Sequence, residues 1–184
     1  GATAIDGEIV VEDDGTGMSV DELLHHWMQP AGSSKRDPSA RRTPAGRRVL
    51  GEKGVGRFAV DRLGSRCELI SRKPGSPTEV FARFNWDDFD CETAFLSEVM
   101  SQWEERAPDT IQGHGTVIRI SGLRQPWSNR SFRRLTSRIQ RLLSPFSRDD
   151  TFAVEIQSDD LPDYSDELQR PYFEKAPYRL SARF

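Results

Sequence analysis

The sequence predicts a fold of interleaved strands and helices, and three observations carry that expectation. Short β-rich runs occur at residues 8–12, 66–72, 78–84 and 115–121, while residues 20–28, 54–63 and 130–143 repeat apolar side chains at helical spacing. Leu, Ile, Val and Phe supply about 22% of the 184 residues, above the roughly 20% below which charged chains tend to disorder. The longest apolar runs are a few residues, far short of the ~20 that span a bilayer, and no charged-then-apolar segment opens the chain. A soluble, cytoplasmic protein without a membrane partner is the expectation.

Taken in order, Asp6-Gly7 is a turn signal, so residues 2–5 and 8–12 are candidates for a hairpin. Ser19 and Glu22 form a capping box that opens a helix, with Val20, Leu23, Leu24, Trp27 and Met28 on one face and Pro30 as its stop. Asp21, Glu22, His25, His26 and Gln29 take the opposite, solvated face. Residues 31–53 hold Gly32, Pro38, Pro44, Gly46 and Gly51 among few apolar residues, and a loop of that length is usually a lid or binding loop. A second helix starts at Gly54–Gly56, buries Val55, Phe58, Ala59 and Leu63, and ends at Gly64. Strands 66–72 and 78–84 follow, separated by Pro74, Gly75 and Pro77. Phe95, Leu96, Val99, Met100 and Trp103 predict a helix over 93–105. A strand over 115–121, a helix over 130–143 burying Phe132, Leu135, Ile139, Leu142 and Leu143, a strand over 151–157, an acidic loop over 158–171 and a last strand over 177–184 complete the chain.

The formal net charge of −3 conceals blocks: −7 over residues 1–34, +8 over 35–73, −7 over 74–118, +8 over 119–148 and −5 over 149–184. The first basic block mixes cations with glycines, as a site for a polyanion does. The second contains eight arginines and no acid. It reads either as a solvated helix face or as a surface for nucleic acid or an acidic partner. Cys67 and Cys91 are too few for a disulfide framework, and with His25, His26 and His114 they show no zinc-ligand spacing.

Four short strings bear on chemistry: Asp13-Asp14-Gly15-Thr16-Gly17-Met18, Gly32-Ser33-Ser34-Lys35, Gly51-Glu52-Lys53-Gly54-Val55-Gly56-Arg57-Phe58, and Gly115-Thr116 at a strand start. A P-loop is excluded, because no Gly-rich run ends in Gly-Lys-Ser or Gly-Lys-Thr. A dinucleotide fingerprint is excluded too, because Gly51–Gly56 reads GxxGxG and follows a long loop instead of a strand. The four strings in this order resemble the GHKL ATPases, the group of DNA gyrase ATPase subunits, ninety-kilodalton heat-shock chaperones, MutL and sensor histidine kinases. The resemblance is nearest to the chaperone-like or MORC-like bacterial branch and covers roughly residues 5–122. It implies a Bergerat-type two-layer α/β sandwich, a mixed sheet with helices on one face, with nucleotide held between the helices under a mobile lid.

The resemblance also implies roles. Asp13, at a strand end, accepts a hydrogen bond from the adenine exocyclic amine. Guanine offers an acceptor there, and the mismatch costs on the order of a few kcal/mol. Thr116 joins Asp13 and the base, often through water. Gly15 and Gly17 let the backbone turn beneath the base, and Met18 contacts its face; outside the constellation these three read as a plain turn and a core residue. Gly51, Gly54, Val55 and Gly56 lead into a helix start whose free N–H groups suit phosphates. Lys35 follows the lid motif and offsets triphosphate charge, Lys53 and Arg57 do so too or point to solvent, and Ser33 and Ser34 are lid contacts.

In this family a helix before the first strand supplies a water-activating glutamate and, four residues on, an asparagine for Mg2+. The chain has two asparagines, Asn85 and Asn129, preceded at that spacing by Phe81 and Gln125. The expectation is a chain that begins just after that helix at Gly1, or else a non-hydrolysing member. Residues 1–122 then form the ATP-binding core and 123–184 a continuation toward a transducer-like α/β segment. The functional expectation is ATP binding with lid closure and homodimerisation, hydrolysis depending on the upstream helix. The alternative is a nucleic-acid or protein interaction module that uses residues 119–148, with a regulatory or vestigial nucleotide site.

Overall fold

A computed structural model describes residues 7–27, 59–90, 102–140, 153–158 and 166–167. The chain divides into two compact units, Ala2–Pro126 and Trp127–Phe184. The first is built on a five-stranded sheet: β1 (Glu8–Asp13), β2 (Gly64–Arg72), β3 (Glu79–Asn85), β4 (Gln102–Arg106) and β5 (Gly115–Leu123), in the order β1-β5-β2-β3-β4. Every pairing among these strands is antiparallel.

Alternation assigns the two faces. Ile9, Cys67, Leu69, Val80, Ala82, Phe84, Ile118 and Ile120 share one face, which the helical segments cover with Val20, Leu23, Trp27, Val60 and Leu63. Leu23, Cys67, Leu69 and Ala82 are almost fully enclosed. Trp27 packs on Phe84 with ring centroids 5.2 Å apart. The other face carries a small cluster of Ile70, Val117, Phe81 and Ile111, beside the exposed Arg83–Glu68 ion pair at 2.9 Å. A layer of helix on one face of a sheet is the α/β arrangement that the motifs imply.

The first helical segment starts as its capping box requires. Ser19 Oγ accepts from Glu22 N–H at 3.3 Å, and Glu22 Oε2 accepts from Ser19 N–H at 2.8 Å. One turn of α-helix, α1 (Val20–Glu22), widens into a π-helical turn over Leu23–Trp27. Glu22 is not simply a solvated residue, as the helical pattern suggests, because Lys73 Nζ reaches both its carboxylate oxygens at 2.8 and 2.9 Å. Burial works against the ionised form, but bonds from Lys73 and Ser19 and the Lys73 charge outweigh it and lower the Glu22 pKa.

Helix α2 (Ala59–Leu63) turns Val60 into the core and leaves Ala59 exposed, one position off the predicted face. The helix ends at Gly64 as expected. Gly64 opens β2 directly, where a Cβ would lie 2.6 Å from the Ser121 carbonyl oxygen. The helix expected over 93–105 is overturned at its C-terminal end, where Gln102–Arg106 is strand β4, paired to β3 with Trp103 opposite Ala82. Pairing satisfies the β3 backbone edge, which helical apolar spacing does not reveal. Phe95, Leu96, Val99 and Met100 lie outside the described residues, as do the predicted hairpin partner 2–5, the loop 31–53 and the strand 177–184.

In the second unit, α3 (Asn129–Gln140) is capped by Ser128, whose Oγ accepts from Ser131 N–H at 3.2 Å. It buries Phe132 and half-buries Leu135 and Ile139, while Arg130, Arg133, Arg134 and Arg138 are exposed. Strand β6 (Glu155–Ile156) pairs antiparallel with β7 (Asp166–Glu167), so the stretch expected as an acidic loop contains a strand. No described helix is long and apolar enough to cross a membrane.

Candidate functional site

Strand register brings two residues from widely separated motifs together. Asp13 ends β1 directly opposite Thr116 of β5, and Thr116 stands opposite Ser71 of β2. Alternation places all three on the helix-covered face, in one row across the sheet, with Cβ atoms of direct neighbours about 4.5–5.5 Å apart. Asp13 is exposed, whereas Thr116 and Ser71 are buried.

The segment after Asp13 folds back over the strand ends. Gly15 N–H donates to Asp13 Oδ1 at 2.9 Å, an Asx-type turn that turns the chain away from β1. Gly17 has φ +59°, and a Cβ there would collide with the Arg72 carbonyl oxygen. Gly115 has φ +136°, and a Cβ there would collide with the Asp13 carbonyl oxygen. Both positions combine the left-handed region with direct backbone contact, so only glycine fits. His114 Nδ1 lies 2.8 Å from the Gly15 carbonyl oxygen and tethers the same turn from the β5 side.

Met18 follows, half-buried against the core, and its N–H donates to Ser71 Oγ at 2.8 Å. The Ser71 hydroxyl also donates to the Gly115 carbonyl at 3.1 Å and lies 3.0 Å from Thr116 Oγ1. Ser71 therefore ties the first motif to the last. The sequence gives no sign of it, since a serine in a strand of alternating residues has no motif around it.

The loop that leads into β5 is held from below. Glu79 is fully buried and accepts from Arg106 Nε at 2.8 Å, Thr110 N–H at 3.1 Å and Ile111 N–H at 3.0 Å. Burial alone raises its pKa, yet the Ile111 N–H bond, the Arg106 bond, the Thr110 N–H bond and the Arg106 charge together hold it below the ordinary value. Arg72 secures the other side, donating to the Ile111 and Gln112 carbonyls at 2.9 and 2.7 Å and to Ser76 O.

Asp13, Gly15, Gly17, Met18 and Thr116 thus surround one strand end. Ser33, Ser34, Lys35, Gly51, Lys53, Gly54, Val55, Gly56 and Arg57 lie outside the described residues. The described part offers an exposed carboxylate as acceptor, a buried hydroxyl beside it and a turn held tight by glycines, a set of groups compatible with the base end of an adenine nucleotide. Among the described residues no three His, Cys, Asp or Glu side chains gather as for a metal ion, and none is assigned to Mg2+.

Over 70 residues the chain is 39% identical to the "Putative type II restriction enzyme HgiDII" of Herpetosiphon aurantiacus, a match that covers 38% of this chain and 11% of that protein. The chain therefore spans about a tenth of that relative's length. A family profile described as "Histidine kinase-, DNA gyrase B-, and HSP90-like ATPase" matches residues 3–116, which take in the first motif, strands β1 to β4 and the start of β5 with Thr116. The chain belongs to this GHKL-type ATPase family.

Proposed function

We propose that this chain is the ATP-binding core of a larger cytoplasmic ATPase, in which Asp13 selects adenine, Thr116 supports it, and Gly15, Gly17 and Met18 form the floor beneath the base. The observation that carries the reading is the cross-strand row that sets Asp13 opposite Thr116 beside two positions where only glycine fits. Gly51, Gly54, Val55 and Gly56 present backbone N–H groups to the phosphates, and Lys35, Lys53 and Arg57 offset their charge, with Ser33 and Ser34 in the lid. ATP brings Mg2+, and lid closure promotes association of two copies. Hydrolysis depends on a glutamate–asparagine helix that the family places before its first strand. Residues 1–122 form the core and 123–184 lead toward a transducer-like segment. Calorimetry tests the site: ATP binds the wild-type chain and Asp13→Asn loses at least tenfold in affinity, about 1.4 kcal/mol. Unchanged binding by Asp13→Asn overturns the assignment. The 184-residue chain alone shows no appreciable Mg2+-dependent turnover, and steady hydrolysis by it would overturn the dependence on that helix.

A second reading has its own observation. Helix α3 exposes Arg130, Arg133, Arg134 and Arg138 and contains no acid, a composition suited to a polyanion such as nucleic acid. The relative matched over 70 residues is named a putative type II restriction enzyme. Under this reading, DNA affinity falls steeply with salt, survives Asp13→Asn and drops when two of these arginines become glutamate. Absence of DNA binding at low salt removes it.

A further inference from the structure

We propose that Ser71 is a specificity-determining positioning residue that fixes the Thr116 hydroxyl as a hydrogen-bond acceptor and so sharpens discrimination between 6-amino and 6-oxo purines. The proposal deepens the adenine reading of the Asp13–Thr116 row and rests on it. Ser71 is fully enclosed, and its Oγ has three polar neighbours: Met18 N–H at 2.8 Å, the Gly115 carbonyl at 3.1 Å and Thr116 Oγ1 at 3.0 Å. The chemistry of the first two leaves no choice, because an amide only donates and a carbonyl only accepts. A serine hydroxyl has a single hydrogen and two lone pairs. With its hydrogen on Gly115 and one lone pair taken by Met18, Ser71 meets Thr116 with its second lone pair. Thr116 must then donate inward. The opposite polarity would withdraw the Ser71 hydrogen from the buried Gly115 carbonyl.

This polarity has a consequence one strand away. With its proton directed at Ser71, Thr116 has only lone pairs for whatever lies beside it, and its row neighbour Asp13 is also an acceptor. Two adjacent acceptors match an exocyclic amine, which carries two hydrogens. A purine with oxygen at that position offers an acceptor to both. Without Ser71, the Thr116 proton is free to turn toward the ligand, and a 6-oxo group gains a donor.

The test compares ATP with inosine triphosphate, which differs from it only at the purine 6 and N1 positions, by competition binding to the full chain. Wild type favours ATP. Ser71→Ala lowers that preference by about tenfold, weakening ATP while strengthening the inosine nucleotide. Ser71→Thr keeps the hydroxyl and retains the preference. Thr116→Val, close in shape but without the hydroxyl, lowers the preference by itself, and adding Ser71→Ala to it changes nothing further. Equal weakening of both nucleotides in Ser71→Ala shows a merely structural role and overturns the proposal. If Ser71→Ala fails to fold by circular dichroism, Thr116→Val decides, and an unchanged preference there overturns it as well. A wild-type chain that binds neither nucleotide overturns the site reading together with this one. Binding that is lost in Asp13→Asn but keeps its full preference in Ser71→Ala overturns this proposal alone.

Discussion

At Gly17 the backbone takes φ +59° while the Arg72 carbonyl occupies the space of a side chain. Left-handed backbone alone costs an L-residue about 1–2 kcal/mol, and the collision adds to it, so Gly17→Ala should destabilise by about 2–4 kcal/mol in urea unfolding. Gly75 is the control. Its φ is +74° but nothing lies within 4 Å of a Cβ, so Gly75→Ala should cost only about 1 kcal/mol. Equal losses at the two positions would show that contact with Arg72 is immaterial. Cys67 gives a second residue-scale expectation. Burial, with a smaller contribution from the Glu68 charge, pushes its thiol up to about 12, so it should resist alkylation at pH 8 in a Cys91→Ser background until the protein unfolds. Asp13 and Thr116 were legible in the sequence because each sits in a recognisable string and the strings have a family order. Ser71 was not, because its role exists only once β2 lies against β5, and pairing partners are not written into local spacing.

Among elements, the loop between β4 and β5 depends on one buried carboxylate. The Glu79 pKa is depressed in the folded chain, so its stabilising contribution is fully present above the ordinary value of 4.5 and is lost as pH falls through the lowered folded value. Glu79→Gln should cost on the order of 2–3 kcal/mol at pH 7, below the 3–5 typical of broken buried pairs because Arg106 keeps some contact with water. The variant should also show a smaller loss of stability than wild type between pH 5 and pH 3, as read from thermal melts. A wild-type-like acid profile would show that Glu79 does not control it. The Ser19–Glu22 capping box was legible because it is encoded within four residues, and β2, β3 and β5 because their alternation is strong. The segment 93–105 misled because Trp103 falls in step with helical apolar spacing, whereas the Gln102–Arg106 stretch follows the open edge of β3. The short β7 was hidden in an acidic run for the same reason, since its partner β6 decides its conformation.

For the molecule as a whole, the sheet order sets a gradient of protection. Among the described strands β2, β3 and β5 each have a neighbour on both sides, while β1 and β4 have one. Amide exchange followed by mass spectrometry should therefore be slowest over Cys67–Ser71 and Val117–Ile120 and faster over Glu8–Asp13 and Gln102–Arg106. Uniform protection would mean that the sheet opens only globally. The alternating charge blocks, obvious in the sequence, are only partly interpreted by the fold. The Glu68–Arg83 and Glu79–Arg106 pairs join oppositely charged residues across neighbouring strands, while the arginines of α3 form a basic surface of their own.

Asp13 is the last residue of β1, and among the described strands β1 lies at the edge of the sheet. The end of the row proposed to meet the ligand is thus carried by an element that can peel away while Thr116 and Ser71 stay embedded. On warming, capacity for nucleotide should vanish several degrees before the sheet melts, and a bound base that bridges β1 to β5 should act as a clasp, delaying the fraying of that edge more than it raises the melting of the centre.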